Sequence, residues 1–261
     1  RLADADFFFK EDRKRPLADR LEDLKGVIYQ ADLGTSFEKV RRFSKLARYL
    51  AERVLPDALE HVEAAASICK CDLVTFMVTE FPSLQGTIGM EYARIEGYPE
   101  DVCVPIYEHY LPTKAGDVLP SGNVGAVVGM ADRMDTIAGC FAIGLTPSGS
   151  ADPFALRRHA LAILRILEEK KWDVSLPEFI EKSLEILGES IEIQGQSLSG
   201  DLLDFFRERY RQTIRRSGYE PEVVEAVVSA RFDRIHRLRD QIDQLSRFIS
   251  RSREFENLSL T

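Results

Sequence analysis

One stretch limits the fold of this chain more than any other. Val124 to Leu145 is apolar, with Gly125, Gly129, Gly139 and Gly144 interleaved, and it carries Asp132 and Asp135 in its middle. The run is too long for a strand, whose usual length is about five to six residues, so it reads as a helix. A helix that is apolar all round is a buried one. Its two acids then need partners, because a bare carboxylate is strongly disfavoured in apolar surroundings. The sequence offers Asp132 three: Arg133 of a neighbouring element, Lys70, or a metal ion.

The rest of the chain is helical around it. Pro16 opens a helix in which Leu17, Leu21, Leu24 and Ile28 recur at three- and four-residue steps. Gly34-Thr35-Ser36 breaks it, and Thr35 or Ser36 caps the next helix. That helix carries Val40, Phe43, Leu46, Ala47 and Leu50 on one face and Lys39, Arg41, Arg42, Lys45 and Arg48 on the other. The basic side reads as a solvated face, with a phosphate-facing surface as the alternative. Pro56 to Phe81 is an Ala-rich helical stretch that Pro82 ends, and Val102 to Tyr107 begins another helix. His109–Asn123 and Pro147–Ser150 are loops. Asp152-Pro153 caps and starts a helix through Arg157, Arg158, Leu161, Leu164 and Leu167. Trp172 to Pro177 is a boundary, beyond which Pro177–Leu187, Leu198–Ser217 and Pro221–Phe248 keep helical spacing. The expectation is an all-α protein in two helical parts, residues 1–172 and 173–261.

With 261 residues the chain can bury a sizeable core. Its net charge of −8 is unlike that of a stand-alone nucleic-acid binder, so any RNA contact has to come from a local basic patch or from protein outside this chain. No run of about 18 apolar residues predicts a membrane span. The chain opens on Arg1, without a Met and without a signal peptide, which suggests a piece of a longer protein. Cys69, Cys71, Cys103 and Cys140 include one CxC and no second close pair, a pattern of buried free thiols rather than structural zinc. Such thiols suit a reducing, cytoplasmic setting.

Four segments carry chemistry: Lys70-Cys71-Asp72, Glu108-His109-Tyr110, Ala131-Asp132-Arg133-Met134-Asp135, and Asp152 through Arg158. An all-α domain with a His-Asp pair and a later Asp resembles the layout of HD-type metal phosphohydrolases. Asp72 and Asp132 take the two Asp positions, with His109 in the middle loop. The departure is that Cys71 stands where the His of the pair belongs, and Phe43 to Leu50 offers no His. Only His61, His109, His159 and His236 exist, and His61 reads as a structural or surface residue. A di-metal centre needs several His and carboxylate ligands, so Cys71, Asp72 and Asp132 are expected to be degenerate positions with no catalytic metal.

A more specific resemblance covers nearly all of residues 1 to 170 and, more loosely, the helices to 261. It rests on Glu80-Phe81-Pro82-Ser83-Leu84-Gln85-Gly86 with Gly89 and Tyr92-Ala93, and on Glu108 to Pro112 with Ala115-Gly116-Asp117. Val124 to Val128, Ala131 to Thr136, Asp152 to Arg158, Arg1 to Ala5 with Phe7-Phe8, and Leu33-Gly34-Thr35 complete it. Together, in this order, they resemble the beta subunit of heterotetrameric bacterial glycyl-tRNA synthetase. The resemblance implies a degenerate HD-like helical domain followed by a helical connector that precedes an anticodon-binding domain. It implies a tRNA-recognition role in the ATP-dependent attachment of glycine to tRNA. The partners implied are the alpha subunit and glycine tRNA, with no DNA and no membrane. The aminoacylation site, with its ATP and Mg, is implied to lie on the alpha subunit, leaving no cofactor and no catalytic residue here.

Under that resemblance the candidate tRNA-binding residues are Lys70, His109, Lys114, Arg133, Arg157 and Arg158. Lys and Arg at loop mouths and helix starts suit phosphate oxygens, and His109 with Tyr110 suits stacking on an unpaired base. The competing reading has Arg157 and Arg158 paired with Asp132, Asp135 or Asp152 to hold helices together. A second basic run, Arg207, Arg209, Arg211, Arg215 and Arg216, is a solvated face or an RNA contact. Two other functions compete: a metal-dependent HD phosphohydrolase, and a scaffold that only holds the alpha subunit.

Overall fold

The computed structural model describes residues 2–114, 116–192, 197–215 and 217–259; Arg1, Ala115 and Arg216, all named above, lie outside them. The described chain is all-α apart from one small hairpin. Helix α1 (Leu2–Asp12) is followed by 3-10 turns at Ala18–Arg20 and Glu22–Gly26. An antiparallel pair, β1 (Ile28–Gln30) and β2 (Gly34–Thr35), then leads into α2 (Ser36–Val54). The helices α3 (Leu59–Ile68), α4 (Phe76–Glu80), α5 (Thr87–Ile95) and α6 (Glu100–Glu108) precede the central α7 (Asn123–Ala142). After it come α8 (Leu156–Lys170), α9 (Leu176–Gly188), α10 (Leu198–Arg215), α11 (Pro221–Ala230) and α12 (Ile235–Ser259).

The apolar run at 124–145 is the helix its length required. Nearly every residue of α7 is buried, and α2, α3, α6, α8 and α9 pack around it. Its glycines let a neighbour come close. A methyl group at Gly129 would stand 2.8 Å from the His109 carbonyl oxygen, and one at Gly125 would stand 2.9 Å from Glu108 Cβ. Both contacts lie at the end of α6, so the small residues of α7 fix where α6 stops. One hydrophobic core runs from Leu17 to Ile242, with α9 and α10 packed on α7 and α8.

Three segments expected as continuous helix are not, one of them Pro221 to Phe248, which splits into α11 and α12 between Ala230 and Ile235. Leu17 to Ile28 forms the two 3-10 turns and then a strand. Leu17 and Leu24 are fully buried, whereas Ile28 is 74% exposed, so the spacing anchors two short turns and does not mark one helical face. Pro56 to Phe81 breaks into α3, a 3-10 turn at Cys71–Val74, and α4. Tertiary hydrogen bonds cause the break. The Asp72 carboxylate turns away to accept the Gly86 N–H at 2.6 Å, and Asp12 accepts the Phe76 and Met77 N–H groups at the start of α4. Thr35 is the cap of α2, in a reciprocal capping box with Glu38.

Candidate nucleic-acid interface

The charged residues of the motif segments separate into an interior network and an open groove. The interior network begins with Asp132, half-buried on α7. Its two oxygens each face an ammonium group: Lys39 Nζ lies 2.9 Å from Oδ1 and Lys70 Nζ 2.9 Å from Oδ2. One turn on, Asp135 binds Lys39 Nζ at 3.1 Å and Arg42 Nε at 2.7 Å. Burial opposes ionisation of Asp132, but Lys39 and Lys70 overcome it and hold the carboxyl well below its usual range. Burial likewise opposes charge on the two lysines, and the attraction of Asp132 leaves both raised above the ordinary lysine value. Asp132, Lys39 and Lys70 are therefore all ionised.

This corrects the reading of the basic side of α2. Arg41, Lys45 and Arg48 are exposed, but Lys39 and Arg42 are buried partners of α7. Helical spacing cannot separate the two groups, because the boundary depends on how α2 is rotated against α7. Of the partners open to Asp132, the chain uses Lys70 and adds Lys39.

The donor set does not fit the divalent metal that an HD layout implies. Both Asp132 oxygens carry lysine ammoniums, whose charge would repel a cation at that place. Asp72 Oδ2 takes a backbone N–H, while Oδ1 is buried without a hydrogen-bond partner among the described residues, and Cys71 is a buried thiol whose pKa is pushed up to about 12 by burial.

Three of the six candidate RNA residues belong to this interior. Lys70 is buried on Asp132, with its ammonium 4.1 Å from the centre of the Tyr110 ring. His109 is fully buried, its Nδ1 3.2 Å from the Pro105 carbonyl, and burial drives its pKa well down, leaving a neutral ring. Arg133 pairs with neither Asp132 nor Asp135. Its guanidinium donates to the carbonyls of His109 (2.6 Å), Tyr110 (2.7 Å) and Leu111 (2.7 Å). Those carbonyls follow the last turn of α6, where helical partners run out. Stacking of His109 and Tyr110 on an RNA base is incompatible with this arrangement: the His109 ring is enclosed, and Tyr110 is held by Lys70 and by Gln85 Nε2 at 2.6 Å.

The acids of the motifs act as caps. Asp72 accepts at the start of α5. Glu108 accepts from Ser121 N at 2.9 Å and Gly122 N at 3.0 Å, just before α7. Asp152 accepts from Leu156 N at 2.7 Å and Arg157 N at 3.0 Å, which opens α8. Acceptors at a helix start satisfy N–H groups that have no partner within the helix.

The other three candidates lie together on the surface. Lys114, Arg157 and Arg158 line a groove of about 450 Å³ whose walls include Pro112, Leu161 and Thr213 of α10. Arg165 lines it too and was not among the sequence candidates. The signal for it was available: 158, 161, 162 and 165 follow helical spacing and share one face of α8. Arg209, one turn before Thr213, is lowered in pKa by burial and then by the nearby charge of Arg157. Among the described residues, none of Lys114, Arg157, Arg158, Arg165 and Arg209 forms an ion pair. The one acid lining the groove, Asp152, has its oxygens committed to the α8 backbone. Neighbouring arginines of the second basic run do have partners: Arg207 pairs with Asp204 and Arg211 with Glu225.

Comparison with known proteins gives the groove a context. The family model described as glycyl-tRNA synthetase beta subunit matches residues 1–229. A curated glycine–tRNA ligase beta subunit from Syntrophotalea carbinolica is 46% identical over 266 residues, covering 100% of this chain and 38% of its own length. The proteins of the same name from Geobacter sp. (strain M21) and Geotalea uraniireducens are 47% and 46% identical, covering 96% and 100% of this chain and 36% and 38% of their own lengths. The chain thus spans less than two fifths of the length of these relatives.

Proposed function

The chain belongs to the glycyl-tRNA synthetase beta subunit family, and from that premise we propose that it contributes tRNA contact to the ATP-dependent attachment of glycine to tRNA. In this reading the aminoacylation site, with its ATP and Mg, belongs to the partner alpha subunit, and the assembled enzyme works in the cytoplasm. The chain itself supplies no catalytic residue. It forms a helical body that offers the groove on α8 to the phosphate backbone of glycine tRNA.

The observation that supports this is the set of five cations that form no ion pair among the described residues, on a chain whose net charge is −8. Like charges gathered around a single lining acid, Asp152, repel one another, and an anionic ligand relieves that repulsion. Guanidinium and ammonium groups on an open groove suit phosphate oxygens and carry no sequence preference by themselves. A phosphohydrolase is the weaker reading, because Lys39 and Lys70 occupy both oxygens of the acid that such an enzyme would turn to a metal.

The test is glycine-tRNA binding by the assembled enzyme carrying Arg157→Ala or Arg158→Ala, across a salt series. Each variant should weaken binding by on the order of 1 kcal/mol and flatten the salt dependence by roughly 0.7 to 0.9 in log–log slope. Thermal stability should stay as it is. Unchanged tRNA affinity in both variants would remove the groove from the interface.

A further inference from the structure

We infer that the groove on α8 takes an unpaired nucleotide of RNA and not a stretch of duplex, a reading that rests on the tRNA contact proposed above. The groove combines two chemistries. Its rim is cationic and exposed at Lys114 and Arg158, whereas its floor and walls are apolar at Pro112, Leu161 and Ala162. Pro112 and Ala162 are buried, so the apolar surface is recessed below the charges. Arg165 lines the groove half-buried, with its guanidinium held by the Asp117 carbonyl at 3.0 Å.

An A-form duplex presents phosphates on a convex, stiff surface and keeps its base faces stacked inside. Such a ligand can touch the rim but leaves the floor empty. An unpaired nucleotide can turn its base out of the chain, placing the phosphate on the rim cations and the base face on the apolar floor. Guanidinium planes beside that floor also suit stacking on a base. The volume of about 450 Å³ falls within the roughly 300–1,000 Å³ typical of sites that enclose a small ligand. The start of α8 does not compete as an anion site, because Asp152 already takes the Leu156 and Arg157 N–H groups. The phosphate is left to the side chains.

The experiment compares binding to the assembled enzyme, across a salt series, of a labelled six-nucleotide single-stranded RNA of mixed sequence with the same strand in a blunt duplex. A polyglutamate peptide serves as competitor. The single strand should bind about tenfold tighter than the duplex. Leu161→Ala should shrink that ratio without changing the salt slope, and Leu161→Phe, which keeps the floor apolar and enlarges its flat face, should preserve or raise it. Equal or tighter binding of the duplex would overturn the inference, as would a ratio that neither Leu161 variant alters. Displacement of the RNA by polyglutamate at equal charge concentration would overturn it in favour of an acidic protein partner. These outcomes are separate from the tRNA test. If Arg157→Ala and Arg158→Ala leave tRNA affinity intact, the proposed function fails whichever form of RNA is preferred. If those variants weaken tRNA binding and the duplex wins, only this inference falls.

Discussion

The interior of α7 and the groove on α8 use the same residue types for opposite ends. Around Asp132 and Asp135, the cations Lys39, Arg42 and Lys70 are buried and all have a carboxylate. Along the groove, Lys114, Arg157, Arg158 and Arg165 are wholly or partly exposed and, among the described residues, have none. Burial is what separates them. A buried charge is held only where the fold supplies its partners, carboxylates for Lys39, Arg42 and Lys70 and backbone carbonyls for Arg133. An exposed charge is stabilised by water and can stay unpaired until a ligand arrives. Where both kinds occur in one chain, the unpaired set is the better guide to a ligand, and the paired set is the better guide to stability.

Asp132→Ala should break this contrast most strongly. It leaves Lys39 with Asp135 but strips buried Lys70 of the one carboxylate that, among the described residues, it forms an ion pair with. The loss should be on the order of 3 kcal/mol, or about 10 °C in melting temperature, measured by calorimetry or circular dichroism. RNA binding well below that melting point should be unaffected. A loss of binding with unchanged stability would reverse the roles of the two regions.

A smaller effect should come from Asp72, the acid beside the network. Burial pushes its pKa up to about 6, despite the Gly86 N–H and the charge of Lys70. Its folded value thus lies above its unfolded value. The stability it contributes is complete below pH ~4 and is lost as pH rises through ~6. At pH 8 the wild-type protein keeps an ionised Asp72 at a penalty, and at pH 5 it does not. Asp72→Asn should therefore be more stable than wild type by on the order of 2 kcal/mol at pH 8, with the gain shrinking towards pH 5. The neutral His159, pushed down to about 4 by burial, loses stability as pH falls below ~6.5, but it does so in both proteins and cancels in the comparison. A gain of equal size at pH 5 and pH 8 would mean that ionisation of Asp72 is not the cause.

The least effect is expected from the exposed side of α2. Lys45 pairs with Glu189 at the surface, both about half exposed. Lys45→Ala should move the melting temperature by no more than about 2 °C and leave RNA binding alone. A larger shift would show that exposed pairs of this chain matter more than their burial implies.

Much of this was legible in the chain. The apolar run at 124–145 required a buried helix by its length, and its two acids required partners by their charge. Thr35 and Asp152 marked helix starts because a side-chain oxygen there meets N–H groups without helical partners. The motif segments contain Glu108, Asp132 and Asp152. The tertiary structure alone decided their work, which is capping and pairing. It also decided which lysines and arginines reach solvent. Lys39 and Lys45 lie on the same helix, six residues apart in sequence, yet one is buried on α7 and the other is exposed. Lys70 and Arg133 stand in motifs as readily as Arg157 and Arg158, yet only the latter two line a groove. Spacing fixes which residues share a helix face, but the rotation of each helix against its neighbours determines which face is covered. That rotation follows from packing across the whole core, where the glycines of α7 meet the end of α6.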